Sequence, residues 1–220
     1  MSAPSPKAKT NRVYSGLSQA ERVKERKEKL LEAGLELFGT IGLKSATVRS
    51  LCKTAGLTER YFYESFTDTE DLFCAVYNQQ ISAIGHYFSN ELPQLQGTME
   101  ERVNAALDLY FKLVRNSRLV RVLYVEGLHG SPRVTETHYN FIRMTCQLSI
   151  QWMRADHPEL NLPDDVFSCV AMGIVGACTA LAVDWMQGNY STPHDTMVRS
   201  CSLIVLGIMR QLYSHNTGAE

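Results

Sequence analysis

What this 220-residue chain lacks narrows its class. Its six cysteines (Cys52, Cys74, Cys146, Cys169, Cys178, Cys201) never approach C-x-x-C spacing, which excludes a local zinc ribbon or a thioredoxin-like pair. The opening stretch MSAPSPKAKTNRVYSG carries no apolar run, so a cytoplasmic chain with reduced thiols is expected rather than a secreted disulfide scaffold. Six histidines supply no H-x-x-x-H pair, there is no G-x-S-x-G elbow, and Thr40 stands where a Walker A motif after Gly34 and Gly39 needs lysine. No metal, no cofactor and no catalytic residue is therefore expected. The acid pairs Glu70/Asp71, Glu100/Glu101 and Asp164/Asp165 sit at predicted helix starts, where the helix dipole accounts for them.

A one-sided charge is also missing: 22 Lys and Arg face 23 Asp and Glu. The total conceals a split, because residues 1–66 hold 12 basic and 7 acidic residues while residues 67–220 hold 10 and 16. A mildly basic region precedes an acidic one, and patches rather than totals make electrostatic footprints. One long apolar run exists, from Val166 to Val183, but acids flank it (Asp164, Asp165, Asp184) where basic anchors would serve a membrane span. It reads as a helix buried in a bundle or between subunits, with no membrane partner.

The seven prolines give the fold class. Pro4 and Pro6 fall in a Ser- and Lys-containing stretch, and Pro93, Pro132, Pro158, Pro163 and Pro193 fall between segments of helical periodicity, where proline ends or opens a helix. No segment alternates with period two. The spacing predicts an all-α chain of nine helices near 19–40, 47–54, 58–65, 69–91, 99–116, 118–128, 132–156, 164–187 and 193–213. Ser18-Gln-Ala-Glu21 and Thr98-Met-Glu-Glu101 read as capping boxes, and Thr58, Asp68, Ser131-Pro132 and Thr192-Pro193 as further start signals. The expected divisions are a flexible basic tail (1–17), a segment of one long and two short helices (18–66) and a larger all-helical part (67–220).

The informative stretch is the pair of short helices joined by Ala55-Gly56-Leu57. Gly56 can take the left-handed conformation that ends one helix and turns the chain into the next. Val48, Leu51, Cys52, Ala55, Leu57, Phe62 and Phe66 suit a small shared core against Leu35, Phe38 and Ile41. So short a pair cannot be stable alone, and presenting a helix to the DNA major groove is the service such geometry performs. With Phe62 inward, a step of roughly 100° per residue puts Arg60 and Glu64 on the opposite face and Tyr61 and Tyr63 on the flanks. Arg60 suits a guanine edge, and Glu59 or Glu64 a cytosine amine. Tyr63, Thr47, Lys44 and Arg49 suit phosphates and neighbouring contacts. The basic run Arg22, Lys24, Arg26, Lys27 and Lys29 alternates with Glu21, Glu25 and Glu28, a pattern equally fit for a solvated face or for DNA.

The run KLLEAGLELFGTIGLKSATVRSLCKTAGLTERYFYESFTDTEDLFCAVY resembles the N-terminal DNA-binding region of the TetR family of bacterial transcriptional regulators. It carries that family's Ala/Leu-rich helix ending in Phe and Gly, its V-R-x-[IL]-x-x-x-A-G-[VL]-[ST] turn, its Tyr-x-x-Phe recognition helix and its acid-capped fourth helix. Two positions depart from the pattern: Thr69 stands where a phosphate-binding lysine is usual, and Glu64 or Ser65 where His or Tyr is usual. Both changes subtract positive charge from the DNA face.

The resemblance implies a ligand-responsive regulator, most often a repressor, binding a pseudo-palindromic double-stranded DNA operator. Helices 4–7 would enclose a small-molecule effector, and helices 164–187 and 193–213 would form the homodimer interface. Small residues there (Gly173, Gly176, Ala177, Gly207) permit close helix approach. Helical position and chemistry nominate Phe111, Tyr124, Phe141, Thr145, Trp152 and Cys178 as pocket residues, although the same positions suit plain core packing. Their flavour points to a hydrophobic or amphipathic effector. The rival expectation is a helical dimer that binds a small molecule or a partner protein without binding an operator.

Overall fold

Helix α1 (Gln19–Thr40) starts at the Ser18 capping box, in which Ser18 Oγ accepts from the Glu21 backbone N–H and the Glu21 carboxylate accepts from that of Ser18. The computed structural model describes residues 18–156 and 162–217, the side chains of 87 and 213–217 excepted. The tail expected over 1–17 lies outside the described residues. After a 3₁₀ turn at Leu43–Ser45 come α2 (Val48–Ala55), α3 (Glu59–Tyr63) and α4 (Thr69–Glu91). Thr47 and Ser50 form the capping box of α2, Gly56 ends it at φ 66°, and Asp68 caps α4 by accepting from the Asp71 N–H at 2.7 Å.

Two local expectations need correction. Thr58 occupies the N-cap of α3 without a side-chain bond to it. Helix α3 is shorter than expected, because the Ser65 N–H turns back to the Phe62 carbonyl at 3.0 Å and tightens the last turn.

The body consists of α5 (Met99–Leu113), α6 (Ser117–Val120), α7 (Pro132–Asp156), α8 (Asp164–Gln187) and α9 (His194–Thr217). Among the described residues the chain has nine α-helices and no strand. Helix α5 stops three residues before its expected end, because the Asn116 side chain caps α6, accepting from Leu119 N–H at 3.3 Å. The single helix expected at 118–128 is instead α6 followed by a π-helical turn, Arg121–Val125, and a 3₁₀ turn, Glu126–Leu128.

Tertiary bonds account for that irregularity. The Leu123 carbonyl accepts from the Tyr77 hydroxyl at 3.0 Å and lies 3.0 Å from His138 Nδ1. At Gly127 a Cβ would stand only 3.1 Å from both Tyr77 and His138. The backbone is drawn towards α4 and α7, out of α-helical register.

Apolar burial is continuous from head to body. Leu30, Phe38, Leu51, Phe62 and Phe66 join Leu72, Phe73 and Tyr77 of α4, which in turn meet Leu123 and Phe141. Ile41, expected in this core, caps α1 and is 45% exposed. By length and composition α8 is apolar enough to cross a membrane; in this fold it packs against α6, α7 and α9.

Candidate functional site

The head presents α3 with Phe62 fully buried beneath it and Glu59, Arg60 and Tyr63 exposed. Lys44, Thr47 and Arg49 are exposed beside it at the start of α2. The Thr47 hydroxyl is already engaged, accepting from the Ser50 N–H at 3.1 Å. Arg60 extends into solvent, with its Nε 3.8 Å from the Glu64 carboxylate.

Glu64 and Tyr61 are held differently from the other six. Arg26 of α1 reaches across to donate to the Glu64 carboxylate at 3.0 Å, and its guanidinium carbon lies 4.3 Å from the centre of the Tyr61 ring. One arginine thus neutralises the acid and stacks on the ring, which suits its planar, weakly hydrated head. Asp68 is treated likewise: Arg133 of α7 donates to it at 2.6 Å and stands 3.7 Å from Glu70. Glu64 and Asp68 are therefore both paired internally. Sequence reasoning placed Arg26 only in the basic run of α1 and did not single out Arg133; their partners lie far along the chain.

An apolar cavity of about 200 Å³ lies in the body, bounded by α4, α5, the π-helical turn, α7 and α8. Tyr124, Phe141, Thr145, Trp152 and Cys178 line it together. Phe111 does not: it is fully buried on the other side of α5, edge-on to Trp185 at 5.7 Å. Its neighbour Tyr110 faces the cavity instead, one residue and roughly 100° away on the helix. The Tyr110 hydroxyl donates to the Cys178 carbonyl at 3.2 Å. Burial pushes the Tyr124 phenol up to about 12 and Tyr110 well above the ordinary range, so both remain neutral donors. Thr145 and Ser149 spend their hydroxyl protons on helix carbonyls of Phe141 and Thr145. Among the described residues no charged side chain lines the cavity.

The π-helical turn joins cavity to head. Tyr124 lines the cavity, while Arg121, three residues earlier, donates to the Thr40 carbonyl at the end of α1 and, at 2.9 Å, to Glu126. Glu126 in turn accepts from the Leu43 N–H at 2.8 Å, on the turn leading into α2. Arg118 adds a bridge to Glu36 of α1 at 2.8 Å. At Gly39 the two elements approach so closely that a Cβ would stand 2.7 Å from the Arg118 Cα.

Residues 30–76 match the family model described as bacterial regulatory proteins, tetR family. No curated protein matches the chain. Among solved structures, the fatty acid degradation regulator FadR from Bacillus halodurans superposes with a TM-score of 0.72 at 14% identity, covering 83% of this chain and 95% of its own. FadR from Bacillus subtilis, solved in complex with stearoyl-CoA, gives 0.69 at 12% identity, covering 80% and 95%. A TerR/AcrR-family transcriptional regulator from Aquifex aeolicus VF5 gives 0.65 at 18% identity, covering 83% and 99%. At such identities the superpositions speak for the fold, and the match over residues 30–76 shows that this segment is similar to the DNA-binding region of the tetR family of bacterial regulatory proteins.

Proposed function

We propose that this regulator is a cytoplasmic homodimer whose residues 18–66 bind a double-stranded operator and whose residues 67–220 bind an apolar effector that releases it, so that it acts as a repressor and not as an enzyme. The observation that carries the reading is the π-helical turn at 121–125, which lines the cavity through Tyr124 and grips the end of α1 through Arg121. A ligand that displaces Tyr124 acts on the same short segment that orients the head. A difference of about 1–3 kcal/mol between the two states suffices for a useful switch.

The DNA contacts in this reading are Arg60, Glu59 and Tyr63 on α3 with Lys44, Thr47 and Arg49 beside them; Tyr61 and Glu64 act through their shape and their pairing with Arg26. For the dimer, α8 and α9 expose Val166, Met172, Leu203 and Ile204. Among the described residues, nothing beyond the helix's own backbone lies within 4 Å of a Cβ placed at Gly173, Gly176 or Gly207, which leaves room for a second copy. A two-fold dimer through that face sets two recognition helices about one DNA turn apart.

The effector class follows from the lining. A charge inside so apolar a cavity would be costly, so the buried part of the ligand is a neutral acyl chain or ring system, oriented by the Tyr110 and Tyr124 hydroxyls. The stearoyl-CoA of the Bacillus subtilis FadR structure supports an acyl chain, with any charged end at the mouth. Footprinting on DNA flanking the gene, followed by titration with stearic acid and stearoyl-CoA, tests this. At least a tenfold loss of operator affinity with one of them is expected; affinity unchanged by both would overturn the acyl reading. Absence of any salt-sensitive operator binding would favour the non-DNA-binding dimer instead.

A further inference from the structure

Cys178 and Cys201 meet between α8 and α9 with their sulfurs 3.4 Å apart. The other four cysteines make no such pair: Cys52 and Cys146 are buried, Cys74 is half-buried and Cys169 is exposed. A buried cysteine is ordinarily an inert small hydrophobe. Two features set this pair apart. Cys178 lines the cavity whereas Cys201 is fully buried and does not, so one residue of the pair borders space that a small apolar molecule can enter and the other stands beside it. In addition, the two sulfurs need to close by only about 1.4 Å to reach disulfide bonding distance.

We propose that Cys178 and Cys201 are a dithiol oxidation site, reached through the cavity by an apolar hydroperoxide and closing to an intrachain disulfide that staples α8 to α9. The Cys178 sulfur attacks the terminal peroxide oxygen, the O–O bond breaks, and the leaving alkoxide takes up the thiol proton as an alcohol. Cys178 is then a sulfenic acid. The Cys201 sulfur attacks the Cys178 sulfur, the S–O bond breaks, and the departing hydroxide leaves as water with the Cys201 proton. In sum, two thiols and one hydroperoxide give one disulfide, one alcohol and one water, the two electrons passing to the peroxide. The contact prepares the second step: the hydrogen bond between the thiols holds Cys201 below the ordinary thiol value and Cys178 above it, so Cys201 ionises more readily and is the sulfur suited to attack the Cys178 sulfenic acid. In a reducing compartment such a bond is transient, as expected of a sensing disulfide rather than a structural one.

This inference stands independently of the acyl-effector reading, since it concerns the thiols and uses a hydroperoxide as its only ligand. The test treats the reduced full-length chain with cumene hydroperoxide, unfolds it, alkylates it and maps the peptides. Alkylatable thiols should fall from six to four, with one crosslinked peptide pair, carrying Cys178 and Cys201, lighter by two hydrogens and restored by dithiothreitol. In Cys201→Ser the crosslink should vanish and a dimedone adduct of the sulfenic acid should accumulate on Cys178. Six alkylatable thiols after treatment, or a crosslink formed instead through Cys169 or between two chains, would overturn the proposal. So would dimedone labelling confined to cysteines other than Cys178.

Discussion

The N-terminal head and the helical body hold their candidate functional residues in opposite ways. In the head, two short helices are fixed by local polar devices, and its chemistry depends on how firmly each charge is engaged: Arg60 is exposed with only a 3.8 Å contact to Glu64, whereas Glu64 is held by Arg26 and Asp68 by Arg133. In the body, long helices enclose a cavity without a charged wall, and its chemistry depends on which face of each helix turns inward. The two meet at Arg118, Arg121 and Glu126. Regions built this differently fail differently, and that is how they can be told apart.

The largest effect is expected at Phe62, which is fully buried under α3. Phe62→Ala should cost about 3–5 kcal/mol of head stability and abolish operator binding. If head and body are separable, affinity for a cavity ligand should stay within about twofold of the parent. Parallel loss of both in binding titrations would break the comparison and make the chain one cooperative unit.

Next comes the joint. Glu126 is half-buried and serves a backbone N–H and an arginine at once, so Glu126→Ala leaves both without their partner at a cost of about 1–3 kcal/mol. Its diagnostic consequence is in coupling: the ligand should bind nearly as before yet shift operator affinity several-fold less than in the parent. Unchanged coupling, read from operator titrations with and without ligand, would move the connection to another route, such as α4.

How much of this was legible in the sequence follows the same division. Capping boxes at Ser18 and Thr98 and the left-handed turn at Gly56 are local, so residues a few positions apart announce the head and the helix starts; the box at Thr47 went unread because Ser50, not Glu or Gln, closes it. The break of the sixth helix is not local: it is imposed by Tyr77 and His138, each brought to Leu123 only by the finished fold. The pocket shows a finer limit. Tyr110 and Phe111 are adjacent aromatics on one helix, and periodicity alone does not say which turns to the cavity and which to Trp185. The partners of Glu64 and Asp68 were invisible for the same reason, since each lies on a different helix.

A smaller effect is expected from His138, whose burial pushes its pKa below the ordinary histidine value. The unfolded chain then binds a proton more readily than the folded one between the depressed value and about 6.5, so stability is complete above about 6.5 and declines as pH falls through that window. Thermal melts between pH 7.5 and 5 should show this decline, and His138→Asn should flatten it. Since His138 lies 2.9 Å from the Tyr77 hydroxyl in the body, acid should loosen the body before the head. An equal slope in the variant would assign the pH response elsewhere.

The smallest change in stability and the sharpest test of the head is the Arg26–Glu64 pair. Its side chains are 21% and 35% exposed, so Arg26→Ala should cost no more than about 1 kcal/mol of stability. Operator binding should suffer more, because the substitution releases the Glu64 carboxylate towards DNA phosphates and removes the group stacked on Tyr61. A loss of about tenfold is expected, recovered in part by Arg26→Ala with Glu64→Gln. Glu64→Gln alone should act in the opposite sense: Arg26 is freed, affinity rises, and the slope of log affinity against log salt steepens by about one phosphate's worth. If the double variant bound as poorly as Arg26→Ala, Arg26 would be a direct phosphate contact rather than the neutraliser of Glu64. The acid at 64 would then cost the reading helix its full charge, and the head would have to be understood without this pairing.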